Sequence, residues 1–133
     1  MRKIRVLITD DSAAARDGLC SILAAHTDIE VVGKAADGRD AVAKAEELRP
    51  DVILMDAQMP GMDGLEATRH IKERLPEVKV LFLTVHTSYI EEALAAGASR
   101  YLMKDSGRRE LLKAIRELGR QGPQQGNKRR KNS

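Results

Sequence analysis

Five polar residues in this chain have types suited to phosphoryl chemistry: Asp10, Asp11, Asp56, Thr84 and Lys104. Each falls at the end of a short apolar run of the kind that forms a buried strand. Asp10-Asp11 follows Ile4–Ile8, Asp56 follows Val52–Met55, Thr84 ends Val78–Leu83, and Lys104 ends Arg100–Met103. Crowded carboxylates repel one another and are relieved by a hard cation, and Mg²⁺ suits an all-oxygen set. One carboxylate can then act as a nucleophile at phosphorus. A hydroxyl and an ammonium complete the groups that neutralise the oxygens of a transferring phosphoryl group. Taken singly, each residue has a plainer reading. Asp10-Asp11 could cap a helix, Asp56 could form a turn, Thr84 could be a strand-end hydroxyl and Lys104 a surface lysine. It is their joint position that points to chemistry.

The elements needed to bring them together are legible as an alternation. A strand over Ile4–Ile8 precedes a helix capped by Asp11 or Ser12, with Leu19, Ile22 and Leu23 on one face. Glu30–Ala35 reads as a half-polar edge strand and Arg39–Leu48 as a helix stopped by Arg49-Pro50. Val52–Met55 is apolar on both faces, as a central parallel strand must be. Leu65–Leu75 is helical, Val78–Leu83 a strand, Tyr89–Ala96 a short helix closed by Gly97, and Arg100–Met103 a strand. Glu110–Leu118 is a last amphipathic helix. Five such units joined by short connections predict an α/β fold, a doubly wound parallel sheet covered on both faces. In such sheets the ligand crevice lies beyond the carboxyl ends of the strands, where all five polar residues fall.

Composition narrows the class. The chain has 133 residues, enough for one domain with a real core, and 42 % are apolar but only 2 % aromatic. Val, Ile, Leu, Met and Ala must therefore fill that core. Cys20 is the single cysteine, so no disulfide forms within the chain; it reads as a buried packing thiol. No apolar run is long enough to span a bilayer, and the run after the basic Met1–Arg5 stops at Asp10-Asp11, too early for a signal peptide. A cytoplasmic location without membrane contact is expected. The net charge is +3, but Arg120 and Lys128-Arg129-Arg130-Lys131 contribute five positive charges without an acid, leaving −2 for residues 1–118. Residues 119–133 read as a Gly/Gln linker and a solvated, disordered basic tail.

The runs Val6–Asp11, Asp51–Asp56 leading into Met59–Gly64, Leu83-Thr84, and Ala96–Ala98 leading to Tyr101–Lys104 resemble a response-regulator receiver domain over about residues 3–118. The resemblance implies a flavodoxin-like fold with strand order 2-1-3-4-5. It implies that Asp56 accepts a phosphoryl group from a sensor histidine kinase. Asp11, Asp56 and the backbone carbonyl of Gln58 would ligate Mg²⁺, with Asp10 acting mainly through water. Thr84 and Lys104 would contact the phosphoryl group, and Tyr101 would move inward behind Thr84. Gln58, Val85 and His86 stand where the family tunes hydrolysis. Val85 departs from the usual small residue and is expected to narrow access. Asp105 replaces a common proline.

The ending Lys104-Asp105-Ser106 resembles the NarL-type subfamily, whose members carry a DNA-binding helix-turn-helix after a linker. Fifteen residues from Gly119 cannot build one. The expectation is a receiver that regulates a transcription factor whose DNA-binding output domain is absent here, with a homodimer forming on phosphorylation. A single-domain receiver, or a degenerate receiver that only docks, is the alternative. A turnover phosphohydrolase would want an acid two residues after Asp56, where Gln58 stands. A flavodoxin-like cofactor binder would need a phosphate cradle where Asp10-Asp11 would repel the phosphate. The protein is therefore expected to modify only itself and not to be an enzyme. His26 and His70 carry no partner pattern and read as surface residues.

Overall fold

The computed structural model describes residues 2–57, 64–85 and 90–120. Ten elements alternate through it: β1 (Ile4–Thr9), α1 (Ala13–Ala24), β2 (Ile29–Ala35), α2 (Gly38–Leu48), β3 (Val52–Asp56), α3 (Gly64–Arg74), β4 (Lys79–Thr84), α4 (Ile90–Ala96), β5 (Arg100–Met103) and α5 (Arg108–Arg120). The five strands form one parallel sheet in the order β2-β1-β3-β4-β5. β1 lies between β2 and β3: the chain steps outward from β1 to β2, then crosses past β1 to β3, so the direction of winding reverses there. That reversal opens a crevice at the carboxyl ends of β1 and β3.

Alternation along each strand sends side chains to two core layers. Leu7, Ile53, Met55, Val80 and Phe82 pack with Ala41 and Ala45 of α2, Ala67 and Ile71 of α3, and Ala93 and Ala96 of α4. Val6, Ile8, Val52, Leu54 and Leu81 pack on the other face with Leu23 of α1 and Leu111, Leu112, Ile115 and Leu118 of α5. Cys20 packs against this second layer as expected but is half-buried rather than buried. All of β3 is buried, which explains its unbroken apolar run.

The boundaries differ from expectation where distant contacts decide them. Asp56 is the last residue of β3, paired with Leu83 of β4, and not the first residue beyond the strand. α5 begins at Arg108 and continues through Gly119 to Arg120. Gly119 is not a break. A Cβ there would lie 2.5 Å from Ile4 Cγ2, so the missing side chain lets the last turn of α5 close onto β1. The expected helix start at Tyr89 and the tail beyond Arg120 lie outside the described residues. No helix among the described residues is long and apolar enough to cross a membrane.

Candidate functional site

The carboxyl ends of β1, β3, β4 and β5 bring the predicted polar residues to one crevice. Asp10 follows β1 directly, and its peptide N–H donates to the Ala35 carbonyl of β2 at 3.1 Å. Ser12, not Asp11, caps α1: its Oγ accepts from Ala15 N–H at 3.2 Å. Asp10 is held apart from this cap. Its Oδ1 accepts from Ser12 N–H at 2.9 Å, and its backbone carbonyl accepts from the Arg16 guanidinium at 2.6 Å. Asp11 is left exposed. The capping explanation for the acid pair thus fails for Asp11 and is at most a side function of Asp10.

Asp56 is 5 % exposed at the end of β3, and Thr84 is buried at the end of β4. Ala57 N–H donates to Leu83 O at 3.0 Å, which anchors the residue after Asp56 to β4. Lys104 N–H donates to Thr84 O at 2.8 Å, which fixes the lysine beside the same strand end. Its ammonium lies 3.2 Å from Asp56 Oδ1 and 3.3 Å from Asp10 Oδ2. Burial alone lowers the Lys104 pKa. The attraction of Asp56 and Asp10, with their hydrogen bonds, outweighs that and holds it above the ordinary lysine value. One cation is therefore shared between two nearly buried carboxylates.

Oxygens of Asp10, Asp11 and Asp56 all lie within 4.8 Å of one another, the one such convergence of potential metal ligands among the described residues. Asp10 spends its Oδ1 on Ser12 and its Oδ2 on Lys104. Asp11 is the exposed member, and both it and Asp56 line the opening. A cavity of about 270 Å³ at the site is lined by Asp11, Asp56, Ala57, Thr84, Val85 and Lys104. The donor set is hard oxygen throughout, which fits a small divalent cation. A second cavity, of about 380 Å³, is also bordered by Asp10 and Lys104 but is largely apolar, walled by side chains such as Leu19, Ile22, Leu102 and Leu111.

Residues 6–116 match the family of response regulator receiver domains. The chain belongs to that family. Response regulator protein VraR of Staphylococcus aureus is 47 % identical over 122 residues, covering 88 % of this chain and 57 % of that protein. The chain thus spans little more than half the length of the curated relatives it matches. The signal receiver domain of NarL from Mycobacterium tuberculosis superposes with a TM-score of 0.85 at 34 % identity, covering 90 % of this chain and 98 % of that one. A DNA-binding response regulator of the LuxR family from Staphylococcus aureus gives 0.81 at 28 % identity, covering 87 % and 98 %. The strand order seen here is the one that the resemblance implied.

Within this receiver, the predicted Asp10, Asp11, Asp56, Thr84, Val85 and Lys104 all meet at the crevice. Val85 stands at its rim, 56 % exposed. Tyr101 does not line it: the ring is 37 % exposed on β5, whose Cα pairs with Phe82. Gln58 and His86 lie outside the described residues. Arg16 was missed from sequence. Its position one turn into α1, where a long side chain reaches back to the strand end, was the available signal. His26 is not the unpartnered surface residue expected. Its Nδ1 accepts from the Arg116 guanidinium at 3.2 Å, while Arg116 also clasps both carboxylate oxygens of Asp28, at 2.8 and 3.1 Å.

Proposed function

We propose that this receiver takes a phosphoryl group onto Asp56 from a sensor histidine kinase, and that the new charge switches its surface. The observation that carries this reading is a nearly buried Asp56 carboxylate sharing Lys104 with Asp10, at the mouth of a cavity lined by Asp11 and Thr84. A carboxylate oxygen of Asp56 forms the P–O bond as the P–N bond to the kinase imidazole breaks, and the imidazole leaves to take up a proton. Asp11, Asp56 and the Gln58 carbonyl would hold Mg²⁺, with Asp10 behind them through water. The ion supplies positive charge to the phosphoryl oxygens. Lys104, already 3.2 Å from Asp56, exchanges its carboxylate partner for the phosphoryl group. The Thr84 hydroxyl turns toward the same oxygens, and Tyr101 follows into the space behind it. The state is selected because only the phosphorylated form rewards that arrangement. Gln58, Val85 and His86 set how long the phosphoryl group survives.

The protein alters itself and turns over no substrate pool. It works in the cytoplasm as the regulatory part of a DNA-binding transcription regulator, dimerising when phosphorylated. The regulatory role is supported by the similarity to a LuxR-family DNA-binding regulator and to a response regulator of which this chain covers 57 %. The test is intact mass spectrometry after incubation with phosphoramidate. The wild type gains one phosphoryl group, and neither an Mg²⁺-free sample nor Asp56→Asn does. A wild type that stays unmodified, with Val85→Ala equally silent, would refute phosphotransfer and leave a docking module.

A further inference from the structure

We propose that Gly64 is a positioning residue for Asp56, held in place by Thr68; the proposal rests on the reading of Asp56 as the phosphoryl acceptor. A Cβ on Gly64 would lie 2.2 Å from the Asp56 carbonyl oxygen, 3.2 Å from its carbonyl carbon and 3.3 Å from the Ala57 oxygen. These are backbone atoms, so no flexible side chain can move aside. The first turn of α3 thus rests directly on the acceptor's own peptide.

Neither side of this contact has an inexpensive retreat. Asp56 is the paired last residue of β3, opposite Leu83, and Ala57 N–H is bonded to Leu83 O at 3.0 Å. On the other side, Leu65, Ala67 and Ile71 hold α3 in the core, so backing the helix away opens that layer. The Gly64 carbonyl is itself fixed, accepting from the buried Thr68 hydroxyl at 2.7 Å. Thr68 therefore fixes Gly64, and Gly64 leaves the space that the Asp56 peptide occupies. Any added side chain tilts the Asp56 peptide and re-aims its carboxylate relative to Lys104 and Asp11. Misplacement of a reacting group by about 1 Å can cost a hundredfold in rate.

The experiment compares wild type, Gly64→Ala and Thr68→Val. Circular dichroism finds a temperature at which each is folded. Phosphorylation by phosphoramidate is then followed there at saturating Mg²⁺, and Mg²⁺ affinity is measured by calorimetry. A residue with only a structural role lowers the melting temperature and leaves both other readouts unchanged. The proposal expects Gly64→Ala to slow phosphorylation roughly ten- to a hundredfold while folded, with weakened Mg²⁺ binding, and Thr68→Val to cause a smaller loss of the same kind. A folded Gly64→Ala with wild-type rate and affinity overturns it. If Gly64→Ala does not fold, Thr68→Val decides: a slower rate in a folded protein supports the proposal, and a wild-type rate rejects it. A wild type that accepts no phosphoryl group sinks the acceptor reading, and this proposal with it.

Discussion

At the scale of single residues, the site is a problem in charge placement. Asp10 and Asp56 are nearly buried and share one ammonium, while Asp11 faces solvent. Two carboxylates share one lysine, and the exposed Asp11 adds a third acid beside them. The residue types were legible in sequence because each ends an apolar strand. The division of labour among them was not, because it depends on Ser12 taking the cap and Arg16 taking the Asp10 carbonyl. Val85 is the departure with a direct consequence. Its side chain stands at the rim of the cavity beside Thr84. Val85→Ala should remove a steric cost of about 1 kcal/mol for small donors, raising the phosphorylation rate by phosphoramidate roughly fivefold. Equal rates in a stopped time course by intact mass would show that Val85 does not narrow the entrance.

At the scale of elements, strands were read most reliably. β3 carries its signal in a few consecutive residues, since a parallel strand buried on both faces needs no alternation. The helix ends were set by partners far away in the chain. Gly119 looks like a terminator in sequence, yet the last turn of α5 runs through it because it packs on Ile4. The tie between α5 and the α1–β2 turn was equally hidden, because Arg116 is 88 residues from Asp28 and 90 from His26. That tie gives a prediction with a definite sign. The Arg116 hydrogen bonds hold the Asp28 carboxyl below its ordinary value of 3.8, against the opposing effect of burial. The pair's contribution is therefore complete above the unfolded value and is lost as pH falls through the lower folded value. Arg116→Met should cost about 1 kcal/mol near neutral pH. Urea melts should show the gap to wild type closing as pH drops below 3.8. A gap that stays constant with pH would mean that Arg116 acts through packing alone.

At the scale of the whole molecule, one sheet gathers four strand ends, and the reversal at β1 opens the crevice where they meet. The order of the strands followed from the resemblance and not from the periodicity, which gives elements but not their neighbours. A cation bound at this crevice ties β1 to β3 only in the folded state, so it must stabilise the fold. At a hundredfold excess over its dissociation constant, Mg²⁺ should add about 2.7 kcal/mol. Asp11→Asn should abolish most of the resulting rise in melting temperature, and a chelator should reverse it. An unchanged response in Asp11→Asn would remove Asp11 from the ligand set. The central claim, that the acceptor is Asp56, is tested most directly by locating the phosphoryl group itself. Borohydride reduces an acyl phosphate to an alcohol, so an aspartyl phosphate becomes homoserine that survives digestion and peptide sequencing by mass spectrometry. The account predicts homoserine at position 56 alone in the phosphorylated protein. Homoserine at position 10 or 11, or a phosphoryl group that resists borohydride and maps to a histidine, would contradict it.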